Sequence, residues 1–230
     1  MLGLLATGTT AVAGTFSISP LRVELAANKR IEALTVRNEQ DSEVVIQATV
    51  QEWTQVNGED RLTQTHDAFA TPAVFTLAAK GQQVVRVALR RSADANRELT
   101  YRLILQEVPA ALPKTFNGLQ VSLRLSLPVF VAASGATAKS SLSWRANWTG
   151  DGKLSVEAAN AGNAHIQVAD FVLQLSDGKL HGSVSKYVLP GSRMNWLLDA
   201  PTHGDRVGPF KLHGYSDQGE FDADVELASP

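Results

Sequence analysis

The chain has 230 residues, 44% hydrophobic and 19% charged, enough apolar material for two domains of about 100 residues each. Its 21 Lys and Arg against 23 Asp and Glu leave a formal net charge of -2, without the basic excess of a nucleic-acid or anionic-membrane binder. With no cysteine, thiol catalysis, cysteine-ligated zinc or iron–sulfur sites and any disulfide framework are excluded.

Residues 1–14 are small and mildly apolar, contain no Lys or Arg, and close on Ala11-Val12-Ala13, the small-x-small form of a signal-peptidase site. They read as the remnant of an export signal, with an ordinary N-terminal tail as the alternative. The stretch is too short to cross a bilayer. Beyond it the hydrophobic period is two: Leu34-Val36, Val45-Gln47-Thr49, Val85-Val87-Leu89 and Tyr101-Leu103-Leu105. The turn dipeptides Asn57-Gly58, Asn117-Gly118, Asp151-Gly152 and Asp177-Gly178 punctuate these runs with residues that tolerate positive φ. No long stretch carries a helical stripe. An all-β fold of sandwich type follows.

The small-residue run from Ala132 to Ala138 interrupts an apolar strand and marks a boundary. It divides the chain into a first domain at 15–131 and a second at 139–230. A linker this short restricts the angle between them and leaves a cleft.

Residues 119–127 alternate strictly, with Leu119, Val121, Leu123, Leu125 and Leu127 aliphatic and every even position polar. Such a strand covers its own domain's core, or, at a sheet edge, displays unpaired backbone groups beside a row of aliphatic side chains to another chain. Periodicity alone does not choose between the two.

The order of motifs resembles the periplasmic pilus-assembly chaperones. These motifs are Ser19-Pro20-Leu21-Arg22-Val23, Val36-Arg37-Asn38, Gln51-Glu52-Trp53, Ala70-Thr71-Pro72-Ala73-Val74-Phe75, Val85-Arg86-Val87 and Arg97-Glu98, followed by Tyr101-Arg102-Leu103 and Glu107-Val108-Pro109. The resemblance implies two immunoglobulin-like β-sandwich domains set in an L, working in the periplasm. It also implies donor-strand complementation: Leu119, Val121, Leu123 and Leu125 enter the groove of a pilus subunit that lacks its last strand, before delivery to an outer-membrane usher. The same open edge is suited to capping by a second copy of the chain.

By the same resemblance, Arg22 anchors the subunit's C-terminal carboxylate, which an arginine meets with two parallel hydrogen bonds. The family's second anchor is a lysine late in the donor strand, but this chain has Pro128 there. Arg102 and Arg124 are the candidate replacements. That departure points to the archaic branch, whereas the short segment from Ala110 to Gly118 resembles the short-loop chaperones, and the branch stays open. Arg86, Glu98 and Asp217 match a family charge set that fixes the angle between the domains.

Enzyme readings find little support. His66, His165, His181, His203 and His213 are scattered, with no pair at the i, i+4 spacing of a helical metal site. Gly-x-Ser-x-Gly, phosphate-loop and dinucleotide glycine patterns are missing. No catalytic residue, metal, cofactor, small-molecule substrate or nucleic-acid partner is expected. Trp53, Trp144, Trp148 and Trp196 keep open a rival reading as a two-domain adhesion or carbohydrate-binding protein.

Overall fold

A computed structural model describes residues 16–109, 120–149, 152–176, 178–199 and 210–227. The export segment, the segment 110–118, Leu119 and His203 lie outside these residues. Among the described residues there are eighteen β-strands and no helix.

The first ten strands are β1 (Phe16–Ser19), β2 (Val23–Leu25), β3 (Ile31–Asn38), β4 (Val44–Val56), β5 (Glu59–Gln64), β6 (Ala68–Thr71), β7 (Val74–Leu77), β8 (Gln82–Leu89), β9 (Leu99–Val108) and β10 (Arg124–Val131). They form two facing sheets, β1-β3-β8-β6 and β2-β10-β9-β4-β5, with β7 also pairing β4. The alternation explains the layering, because every second side chain points inward. Leu34, Val36, Val85 and Val87 from one sheet meet Ile46, Ala48, Leu103, Leu105 and Val129 from the other, all buried. Asn38 is the polar exception. Its Nδ2 donates to the carbonyls of Ser42 (2.7 Å) and Ala78 (3.0 Å) and its Oδ1 accepts from Gln40 N, so a buried amide ties down the turn after β3.

The remaining strands are β11 (Leu142–Trp148), β12 (Leu154–Asn160), β13 (Ile166–Gln174), β14 (Lys179–Gly182), β15 (Lys186–Val188), β16 (Arg193–Leu198), β17 (Phe210–Ser216) and β18 (Gly219–Leu227). They pair in the order β14-β13-β17-β18-β11-β12-β16, with β15 on β13, and the end strands β14 and β16 approach each other. The sheet thus wraps around a second core containing Trp144, Phe171, Leu173, Trp196 and Leu212.

Between the two cores lies a third, small cluster of Trp53, Phe130 and Leu189, flanked by Leu62 and Tyr187. Gln55 clamps it: its Nε2 donates to Tyr187 O (2.9 Å), and its Oε1 accepts from Leu189 N (2.9 Å). The β4–β5 hairpin carries this contact. Asn57 and Gly58 take positive φ of 54° and 79°, as the sequence predicts for a tight hairpin. Gly58 also packs so closely that a Cβ there would stand 2.8 Å from Asn195 Nδ2 of β16.

The tryptophans do not form a sugar-stacking surface. Trp53, Trp144 and Trp196 are buried, and Trp148 packs on the second core.

Candidate functional site

The strand expected over 119–127 is displaced toward the C-terminus. β10 starts only at Arg124 and runs to Val131: at Leu123 the backbone N–H turns to the Glu107 carboxylate and not to the β9 main chain, and the position opposite Val121 falls on Pro109, which has no N–H with which to extend the ladder. Glu107 N still donates to Leu123 O at 2.9 Å, and Leu123 N to Glu107 Oε2 at 3.2 Å; upstream of Leu123, residues 120–122 are in no strand.

On its other side β10 is paired with β2 only through Val129, Phe130 and Val131, so among the described residues the edge from Arg124 to Pro128 has no neighbouring strand. Pro128 fits such a position, since a residue without an amide hydrogen is tolerated at a sheet edge. Among the described residues this flank is open, because β1 is the end strand of one sheet and β2, on β10, that of the other. Phe16 and Ile18 of β1 and Leu125 of β10 are only partly buried against the first core. The aliphatic row is therefore graded. Val121 is 68% exposed, Leu123 and Leu125 are half-buried, and Leu127 and Val129 belong to the protein's own core.

The outer face of the same sheet forms one wall of the cleft. Pro128 on β10 faces Arg102 on β9, which faces Gln51 on β4, and Arg22 stands one residue before the β2–β10 pairing, in step with Pro128. Arg102 is largely buried, at 15% side-chain exposure. Its guanidinium lies 3.6 Å above the Trp53 ring and 3.8 Å from Asp60 Oδ2. Burial lowers its proton affinity, and Asp60 and Tyr187 offset this only in part. Arg22 is more open, at 37%; its Nη1 donates to Asp217 Oδ2 (2.9 Å), and its Nε pairs with Glu24 Oε1 (3.0 Å). Burial opposes the charge on Arg22, but the hydrogen bond to Asp217 and the Glu24 carboxylate outweigh it, and its pKa is raised. The phenol of Tyr187 lies within the field of both arginines, which counter the upward push of burial on its pKa.

The structure thus brings together two of the three anchor candidates, Arg22 and Arg102, on either side of Pro128. Arg124 is not part of this group. It is exposed, in register with Gln106, and lies four residues along β10 from Pro128, about 13 Å at strand rise.

The expected charge set is only partly assembled. Glu98 and Asp217 both reach the junction, each beside His165, but Arg86 is exposed on β8, in register with Ala33 and Thr71, and makes no ion pair among the described residues. His165 stands in the centre instead. Its Nδ1 is 2.8 Å from Glu98 Oε1 and its Nε2 is 3.6 Å from Asp217 Oδ2, while its ring stacks on Phe130 with centroids 3.5 Å apart. Arg86 fails because its strand lies in the sheet that does not face the second domain.

Asp217 is held by the β17–β18 turn. Gly219 there takes a φ of 115°, Ser216 Oγ donates to Gly219 O (2.9 Å), and Gln167 N donates to Asp217 Oδ1 (2.9 Å). Burial raises the Asp217 pKa, but His165, Gln167 N and Arg22 more than reverse it, and the net shift is downward. The residue that sequence reasoning missed is His165. An isolated histidine has no local pattern, and its partners lie 67 and 52 positions away.

Glu98→Ala removes the acceptor for both His165 N and Nδ1. With a buried donor left unpaired, the junction is expected to loosen by about 1–3 kcal/mol. Limited proteolysis checks this: cleavage within 132–138 should accelerate, and an unchanged digestion pattern would contradict it.

Residues 15–136, more than half of the chain, match the model of the pili and flagellar-assembly chaperone family, PapD N-terminal domain. The chain belongs to this family. Three solved structures resemble this family member over nearly its whole length. One is the CsuC–CsuE chaperone–tip adhesion subunit pre-assembly complex from the archaic chaperone-usher Csu pili of Acinetobacter baumannii (20% identity, TM-score 0.71, 94% of this chain and 100% of that one). Another is the Pseudomonas aeruginosa CupB2 chaperone (22% identity, TM-score 0.61, 92% and 100%). The third is the Salmonella enterica SafA pilin in complex with the SafB chaperone (17% identity, TM-score 0.64, 95% and 99%). Among curated proteins, none matches by sequence. At these identities the structural likeness establishes the fold, two all-β domains of the pilus-chaperone type, and the family match establishes the class.

Proposed function

We propose that this pilus-assembly chaperone works in the periplasm by lending its edge strand to a pilus subunit that lacks its last strand, and then hands that subunit to an outer-membrane usher. The observation that carries the reading is the edge of β10, unpaired among the described residues, with Val121, Leu123 and Leu125 incompletely covered by the protein's own core. Leu119 belongs to the same row by its position in the sequence. Burying each such side chain in a subunit groove is worth about 1.5–3 kcal/mol, and backbone pairing along the edge fixes the register. Leu127 and Val129 are spent on the chaperone's own core and give the lent segment a rigid base.

Arg22 and Arg102 supply the grip at the cleft end of the strand. The subunit's C-terminal carboxylate binds between them, across Pro128, whose ring offers no competing charge. Arg22 presents the exposed fork; Arg102, desolvated against Trp53, contributes a charge that solvent screens less. No catalytic role is assigned to any residue.

The test is co-purification. An incomplete subunit should be retained by this chain, and the same subunit fused to its own missing strand should not. Equal retention of both would reject the reading. Without a subunit, the open edge is expected to take a second copy of the chain, giving a dimer whose fraction rises with concentration in sedimentation; substitution at Val121 and Leu123 should return it to monomer.

A further inference from the structure

Asp217 Oδ2 faces two basic side chains at once: Arg22 Nη1 at 2.9 Å and His165 Nε2 at 3.6 Å. His165 is enclosed by charge on several elements. Glu98 precedes β9 and Asp217 stands in the β17–β18 turn; Glu24 and Lys29, from the β2 region, share a surface depression with the imidazole, and Tyr187 of β15 lies 5.7 Å from it ring to ring. In the neutral ring, the proton that bonds Glu98 sits on Nδ1, and Nε2 then turns a lone pair toward the Asp217 carboxylate. In the charged ring both nitrogens carry protons and both carboxylates are satisfied. The two states of His165 therefore make different demands on the oxygen that also holds Arg22.

We propose that His165 is the positioning residue for Arg22: through their shared Asp217 oxygen, protonation of the imidazole frees the guanidinium for a client carboxylate, and deprotonation returns it to Asp217. This rests on the reading of Arg22 as the carboxylate anchor. Burial disfavours the charged imidazole, yet the nearby Asp217 carboxylate and the hydrogen bond to Glu98 outweigh it, so its pKa lies above the usual histidine range and the change falls as pH rises through that raised value. The sign follows from linkage. A group whose folded pKa is raised contributes its full effect below the unfolded pKa of about 6.5 and loses it above the folded one. Client grip and junction stability therefore weaken together as the medium becomes alkaline. The stack on Phe130 places the same imidazole against β10, two residues beyond Pro128.

Two measurements on the full chain test this. In the first, the His165 ring resonances are followed by NMR across pH. Arg22→Ala should raise the midpoint by about half a unit or more, because Asp217 then answers to the imidazole alone, and Asp217→Asn should lower it. A midpoint unmoved by Arg22→Ala would overturn the coupling. The second uses a short synthetic peptide of alternating valine and threonine with a free C-terminal carboxylate, and its amidated twin. Affinity for the acid should fall about threefold to tenfold from about pH 6 to about pH 8.5, with no such fall for the amide or in His165→Gln. The same profile in His165→Gln, or in the amide, would overturn the proposal. If Arg22→Ala leaves the acid's affinity unchanged at every pH, the anchor reading and this inference fall together. If Arg22→Ala weakens binding while His165→Gln keeps the profile, only this inference falls.

Discussion

Val121→Asp combined with Leu123→Asp is expected to abolish capture of a pilus subunit while leaving the chaperone folded. The asymmetry comes from where the two side chains stand. Val121 is 68% exposed and in no strand, and Leu123 is half-buried beside the last backbone bond to β9, so carboxylates there remain near water in the free protein. The expected loss of chaperone stability is within about 1 kcal/mol. In the subunit groove both carboxylates would be desolvated without partners. The loss of two buried aliphatic side chains alone removes about 3–6 kcal/mol, with the burial of charge added to it. Co-purification reads the binding, and the thermal midpoint reads the fold. The control is Leu127→Asp, four residues beyond Leu123, whose side chain lies in the protein's own core; it should unfold the first domain. Unfolding by the first pair instead would show that the row seals its own domain, and would remove the basis for strand lending.

Arg22→Ala should weaken subunit binding by about 2 kcal/mol or more, roughly thirtyfold, with much less effect on stability. The bond of Arg22 to Asp217 is partly solvated and contributes at most about 1 kcal/mol to the junction. A carboxylate held in the cleft, by contrast, loses its two-pronged partner. Arg22→Lys keeps the charge but not the fork, and should recover only part of the affinity. Arg102→Ala is expected to differ in kind: the guanidinium is stacked on Trp53 between the domains, so stability and binding should fall together. Isothermal titration with a subunit-derived peptide ending in a free carboxylate, beside chemical denaturation, separates the two behaviours. Equal losses in both measurements for Arg22→Ala would make it a structural residue.

Much of this architecture was legible beforehand. A period of two with turn dipeptides gave an all-β chain, and Asn57-Gly58 forms the tight hairpin it suggested. Arg22 and Arg102 were legible as candidates but not as a pair, since they are neighbours only once β2, β10 and β9 lie side by side. Pro128 was legible in one sense and overlooked in another. It fails as a carboxylate ligand, but within an apolar alternation it also marks an edge strand, and the edge is what the function requires.

By itself the sequence determined which side chains share a face, because the pleat is a local property of the backbone. Only the tertiary structure decided what that face meets. Leu127 and Val129 were assigned to the protein's own core, and Val121 and Leu123 were left outside it, because the ladder between β10 and β9 begins only at Arg124 and β2 covers only the last three residues of β10. It likewise placed His165, not Arg86, between Glu98 and Asp217. Those three side chains come from distant stretches of chain, and their mutual distances are set by how two separately folded cores dock, a long-range packing result that no local pattern encodes.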